Sequence, residues 1–254
     1  MTAEEYFSRC YQVPKILPSL PLDDEKFLVQ WHETQDAPIK FLSKLYGKEI
    51  NLRGTIKISF VQTLTGKLPV IDTENHDDFT ILAAWLMNRE KKTLPETVNA
   101  FTIPAQLDGE PHRIILLNRA PYSNVPAEKL LLTEEDWLEK SHAIRLRHES
   151  AHYETLRLFG SMKNHALDEI LADCLGQIAA FGNFDADRQR LFFGLDGDKC
   201  TGRLQFYCQN VLPLERPKIY AAVDKFLDKI SVEGKTELEI LCELASKHIG
   251  NEVI

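Results

Sequence analysis

Nowhere does the chain assemble the run of about 18 apolar residues that a membrane-spanning helix requires, so the sequence predicts no membrane span. It has no basic cluster either. With 38 Asp and Glu against 30 Lys and Arg, the net charge is -8, and without a positive stripe nucleic-acid binding is excluded as the main task. The five cysteines, at positions 10, 174, 200, 208 and 242, form no C-x-x-C pair. An odd number without a framework reads as reduced thiols in a cytoplasmic protein. The opening residues, Met1-Thr2-Ala3-Glu4-Glu5-Tyr6, lack the basic and apolar regions of a secretory signal, so no signal peptide is expected. Internal repeats, low-complexity segments and long linkers are missing as well. What remains is 254 residues, 44% apolar and 27% charged, an ordinary globular composition with enough chain for a sizeable core. One domain over 1–254 is expected, with a possible subdivision into 1–95, 96–182 and 183–254.

The densest chemical signal is Arg147-His148-Glu149-Ser150-Ala151-His152, which reads H-E-x-x-H. On a helix, residues four apart share a face and lie about 6 Å apart along the axis. Both imidazoles can then converge on one metal, and Glu149 is offset to reach a water on that metal without ligating it. This is the pattern of a zinc site with a glutamate general base. A catalytic zinc usually takes three protein ligands and keeps one position open. The next helical stretch, Asn164 to Gly176, places Glu169 and Asp173 four apart. Glu169 fits the third ligand, and Asp173 can accept the free N–H of a ligating histidine. Gly160 can end the first helix and Asn164 can cap the second. His165 is an alternative ligand. A metzincin pattern would need glycine at 155 and histidine at 158, where the chain has Thr155 and Leu158. Cys174 reads as a small buried hydrophobe.

Around this centre the chain reads as α+β. Helices are expected from Asp23 or Asp24 towards Tyr46, with Phe27, Leu28, Trp31, Ile39, Phe41, Leu42 and Leu45 as core and His32 as structural or exposed, and again from Asn75 through Met87. Strands are expected at Thr55–Val61, with a short partner at Leu68–Ile71, and at Val98–Ile103 and Arg113–Asn118, joined by the Asp108-Gly109 turn. Thr133 opens a helix running to Phe159, with a break possible at Ser141. A helix ending at Gly182, another over Asp185–Phe193, a turn at Gly194–Asp198 and helices near 201–211, 216–231 and 236–248 complete the chain.

H-E-x-x-H followed by E-x-x-x-D resembles the gluzincin signature. Ala172-Asp173 with Gly176 is similar to the E-x-x-A-D-x-x-G ending of relatives of the CAAX-prenyl endopeptidases and the HtpX-type proteases. Asn99-Ala100-Phe101 resembles the N-A-F strand that precedes the active helix in that group. The resemblance covers roughly residues 98 to 182. The 16 residues between His152 and Glu169 are a short spacing, and the membrane helices of those families are missing. The resemblance implies a predominantly helical zincin-like fold, a small sheet whose edge hairpin precedes the H-E-x-x-H helix, and a peptide substrate laid along that edge, with Asn99 and Ala100 as substrate-binding residues.

The expected function is a zinc-dependent peptidase. His148, His152 and Glu169 would bind Zn2+, Glu149 would be the general base, and Asp173 would orient a ligand. Tyr207, Tyr220, Arg216 and His165 are candidates for stabilising the oxyanion. The alternatives are a zinc-binding regulatory module without turnover and a hydrolase of a small amide. The segment Ser8 to Pro14 faintly resembles the cysteine-containing inhibitory segment of matrix metalloprotease propeptides, but Cys10 is expected to be inert.

Overall fold

The computed structural model describes residues 1–21, 50–87, 94–107, 110–160, 162 and 165–250. The helix expected between Asp23 and Tyr46, with His32, lies outside the described residues, as do the Asp108-Gly109 turn and Asn164. The described chain is α+β, about half helical with a small mixed sheet. It divides into two compact units, one of Met1–Leu17 with Pro121–Ile254 and one of Pro18–Ala120. Among the described residues no helix is long and apolar enough to cross a membrane.

The Pro18–Ala120 unit holds strands β1 (Ile56–Thr63), β2 (Gly66–Thr73), β3 (Ala100–Leu107) and β4 (Glu110–Asn118), in the order β1-β2-β4-β3. β1 and β2 form a hairpin, and β2 runs through Thr73, beyond the short partner expected. Its turn is tied by Thr63, whose hydroxyl donates to the Gly66 carbonyl at 2.6 Å. β4 lies between β3, antiparallel, and β2, parallel. All four residues of its run Ile114-Ile115-Leu116-Leu117 are buried, so both faces of this strand are covered, which is why the run is apolar without alternation. Asn75 caps the helix His76–Leu86 by accepting from the Asp78 N–H at 2.9 Å. Phe79, Leu82, Ala83 and Leu86 of that helix pack with Ile56, Ile71, Ile103, Ile114 and Leu116 of the sheet.

The other unit is built on two helices, here called the motif helix (Glu134–Phe159) and the carboxylate helix (Ala166–Phe181). Thr133 starts the motif helix by accepting from the Asp136 N–H, and Gly160 ends it. There is no break at Ser141. The Ser141 hydroxyl accepts from the Tyr122 N–H at 2.9 Å and so tethers the preceding loop without bending the helix. Trp137 is fully buried against Phe192 and donates its indole N–H to the Val125 carbonyl at 2.6 Å. The carboxylate helix is buried nearly throughout, and Gly182 closes it in the left-handed conformation, at φ 79°. Its cap corrects the expectation for Asn164: the capping side chain is His165, whose Nδ1 accepts from the Leu167 N–H at 3.1 Å. The helices Ala186–Phe193, Leu204–Tyr207, Arg216–Leu227 and Glu237–Ala245 follow, with a two-residue strand pair, Leu195–Asp196 and Lys199–Cys200, at the expected turn.

The two long helices cross very closely at Gly176. A Cβ there would stand 2.9 Å from the Ile144 carbonyl oxygen and 3.0 Å from its Cγ2. Neither the motif-helix backbone nor the β-branched Ile144 can yield at low cost. Gly176→Ala is therefore expected to lower stability by about 1–3 kcal/mol, although alanine is the better helix former. Urea denaturation checks this, and a gain in stability would contradict the close crossing.

His165 is buried, stacks on Tyr6 with ring centroids 4.2 Å apart, and donates Nε2–H to the Tyr6 carbonyl at 3.1 Å. Protonating Nδ1 would set its new N–H against the Leu167 N–H. Burial, with Arg9 and His248 adding to it, pushes this imidazole down to about 4, against the raising effects of the Tyr6 carbonyl and Asp168. The unfolded chain takes up the proton near pH 6.5. The neutral ring thus contributes its full stability above about pH 6.5 and loses it as the pH falls towards 4, by on the order of 3 kcal/mol. His165→Asn keeps a capping acceptor and should flatten this part of the stability–pH curve, measured by urea titrations between pH 7 and 4.

Candidate metal centre

His148 and His152 ride one face of the motif helix, one turn apart, as their spacing requires. Their Nε2 atoms face each other at 2.9 Å. The Glu169 carboxylate enters from the carboxylate helix, with Oε2 3.6 Å from His148 Nε2 and Oε1 3.7 Å from His152 Nε2. Among the described residues these three form the one group of potential ligands whose atoms all lie within 4.8 Å of one another. A tetrahedral zinc with bonds of about 2.05 Å separates its ligand atoms by about 3.3 Å, and the three distances here bracket that value. The donor set therefore fits zinc. Glu149 is buried and is not one of the converging ligands.

Both imidazoles are backed on the far side. His148 Nδ1 lies 2.8 Å from Asp173 Oδ1, so the ring donates there and presents Nε2 as the free lone pair. Asp173 is fully buried and gathers donors from four places. The Tyr122 hydroxyl donates to Oδ1, the Gln189 amide donates to Oδ2 at 2.6 Å, and Arg203 Nη2 also donates to Oδ2. Burial alone would raise this carboxyl. The Arg203 charge and the His148 and Gln189 N–H groups outweigh it and hold Asp173 well below the usual carboxylate range. Arg203 Nη1 also donates to the Tyr122 hydroxyl at 2.8 Å, which lies 3.0 Å from His148 Nδ1.

The second imidazole repeats the arrangement. His152 Nδ1 lies 3.3 Å from Asp168 Oδ1, and the Tyr11 hydroxyl donates to that same oxygen. Burial disfavours a charged His152, but Asp168, Glu169 and Glu149 overcome it and push the ring up to about 10. So many carboxylates around two imidazoles make a pocket that demands positive charge, as a divalent-cation site does.

The expected residues separate clearly. His148, His152 and Glu169 converge, Asp173 backs His148, and Glu149 sits on the motif helix beside them. Cys10 does not join the converging group, and Cys174 is a buried thiol pushed up to about 12 by burial. Of the oxyanion candidates, Tyr207 is the one coupled to the site: burial first, and then the Glu169 carboxylate, raises its phenol well above its ordinary range. Arg216 instead donates to the carbonyls of Val211 and Gln209, and Tyr220 is buried on the helix Arg216–Leu227. Asn99 is buried in the sheet unit, where its amide donates to the Glu96 carbonyl at 2.8 Å and accepts from Asn118 at 2.7 Å. Ala100 pairs with Leu117 at the start of edge strand β3. Nothing in the sequence marks Tyr11, Tyr122, Gln189 or Arg203 as site residues. Asp168, adjacent to Glu169 in sequence, does not converge with the three potential ligands and instead backs His152.

Asp173→Asn should weaken zinc binding roughly 10- to 100-fold and cost about 3 kcal/mol of stability by leaving Arg203 without its counter-charge. Chelator competition and urea denaturation measure the two effects, and an unchanged zinc affinity would detach Asp173 from the metal.

No curated protein and no solved structure matches the chain. Residues 110–236 match a family described as a family of unknown function, DUF7005. That span is 127 of the 254 residues and contains His148, Glu149, His152, Asp168, Glu169, Asp173, Gln189, Arg203 and Tyr207. With half of its length matched, the chain belongs to the DUF7005 family.

Proposed function

We propose that this protein is a zinc-dependent hydrolase of the gluzincin kind, with a zincin-like helical core, that cleaves peptide bonds in a peptide or protein substrate. The observation that carries this reading is the convergence of His148, His152 and Glu169 while Glu149, next to the first ligand, stays out of the ligand group. Zinc held there would lower the pKa of a bound water and polarise the scissile carbonyl. Glu149 would take the proton of the attacking water and pass it to the leaving amine. Asp173 and Asp168 hold the two imidazoles with Nε2 inward, so the ligand geometry is set before substrate arrives. Tyr207, whose phenol is held protonated by burial and the Glu169 carboxylate, would donate to an oxyanion forming beside that ligand. The reading places the enzyme in the cytoplasm, where its five free cysteines stay reduced.

The purified protein should carry close to one zinc per chain, and His148→Ala or His152→Ala should abolish binding. Glu149→Gln should retain zinc and fold while losing hydrolysis by a factor on the order of 100 or more, because it removes the base and no ligand. Metal analysis with turnover of a peptide library and of small amides tests both statements. Turnover of small amides alone would keep the chemistry and change the substrate. Full zinc without turnover of either would mark a non-catalytic module. Undiminished turnover in Glu149→Gln would remove the base assignment.

A further inference from the structure

The metal centre draws on the N-terminus of the chain. Tyr11 is buried and meets Phe159 edge-on, with ring centroids 5.9 Å apart. Its hydroxyl donates to Asp168 Oδ1, across 157 residues of sequence. That oxygen also stands 3.3 Å from His152 Nδ1. On the other imidazole, Tyr122 donates to the Asp173 oxygen that faces His148 Nδ1. Each histidine is thus backed by an aspartate, and each aspartate oxygen by a phenol.

The segment carrying Tyr11 is fixed where it lies. The Met1 ammonium donates to the Asn210 carbonyl at 2.7 Å, and the Leu212 N–H donates to the Met1 carbonyl at 3.0 Å. The Tyr6 hydroxyl accepts from the Ala166 N–H at 2.7 Å, at the first turn of the carboxylate helix. Burial, and then the Asp168 charge, raise the Tyr11 phenol far above its ordinary range, so it remains a donor.

We propose that Tyr11 is a positioning residue of the metal centre: by donating to Asp168 it fixes that carboxylate, and through it the ring plane and tautomer of His152. The proposal rests on the zinc reading of the site. The two histidines differ in how their aspartates are held. Asp173 is gripped on both oxygens, by Tyr122, Gln189 and Arg203. Asp168 faces His152 at the longer distance, and Tyr11 donates to the very oxygen that serves the ring. Deleting the Tyr11 hydroxyl frees the carboxylate to rotate, and with it the imidazole it orients. Tyr11 lies outside residues 110–236, so this part of the site is not covered by the family match.

The test measures zinc affinity by chelator competition on the full chain, for wild type, Tyr11→Phe, Asp168→Asn, the double variant, Cys10→Ser and His148→Ala. Tyr11→Phe keeps the ring that packs on Phe159 and removes only the hydroxyl. It should keep one zinc per chain and weaken affinity about 10-fold, the effect typical of an outer-shell partner. In the Asp168→Asn background the same change should cost nothing further, because the two act as one unit. The visible spectrum of the cobalt-substituted protein should shift in Tyr11→Phe and stay unchanged in Cys10→Ser. Wild-type affinity in Tyr11→Phe, alongside lost binding in His148→Ala, would overturn the role of Tyr11 and leave the zinc reading standing. An equal loss in both backgrounds would overturn it too, since the effect would then be packing and not passage through Asp168. Absence of zinc from the wild type would overturn the zinc reading and this proposal with it. Should Tyr11→Phe be too unstable to measure, the proposal stands or falls on Asp168→Asn, where unchanged zinc affinity and an unchanged cobalt spectrum would overturn it.

Discussion

The centre depends on how closely two helices approach. The motif helix supplies both imidazoles and the carboxylate helix supplies Glu169, Asp168 and Asp173, so ligation and support both require the pair to lie nearly in backbone contact. Gly176 permits this, because a Cβ there would meet the Ile144 carbonyl at 2.9 Å. An ordinary crossing keeps helix axes about 8–10 Å apart, a distance set by the side chains at the contact. Removing the side chain at the contact brings short acidic residues within reach of the facing histidines. The remaining features of the unit serve that approach: Gly160 and Gly182 end the two helices, and Ser141 and Trp137 tie the 121–125 loop to the motif helix.

Asp173 is where the electrostatics concentrate. A buried carboxylate is costly unless paired and fully hydrogen-bonded. Here the compensation comes from a histidine, a tyrosine, a glutamine and an arginine on separate segments. One side chain therefore joins the surroundings of the candidate metal site to the packing of its unit, with Tyr122 and Phe192 in contact at 5.1 Å between ring centroids. Asp168, about one helix turn earlier, performs the same service for the other imidazole, with its own tyrosine drawn from the N-terminal segment.

What could be read from the sequence follows from how far apart the partners lie. His148 and His152, and Glu169 and Asp173, are pairs on single helices, where a separation of four dictates a shared face whatever surrounds them. The stops at Gly160 and Gly182 and the cap at Thr133 are equally local. The phenols of Tyr11 and Tyr122 and the donors Gln189 and Arg203 reach the site across 16 to 157 residues, through packing that no spacing records. The cap of the carboxylate helix fell to His165 because Tyr6 offers its ring a stacking partner and a carbonyl, which a local preference for asparagine does not anticipate. The continuous apolar run Ile114–Leu117 marked a strand, but its central, partly parallel placement depended on β2, more than 40 residues earlier.

The distribution of donors around Asp173 has a consequence for synthesis of the chain. When the ribosome has released residues up to Gly182, all three potential ligands and Glu149 are present, yet two of the four donors that hold Asp173 are still to come. Gln189 follows within a helical turn or two, and Arg203 is the last to arrive. Until then Asp173 lacks its principal counter-charge and one face of its surroundings, and the contact between the helix pair is correspondingly weaker. The support of Asp173 is thus complete only with residue 203, after every potential ligand of the candidate centre has been made.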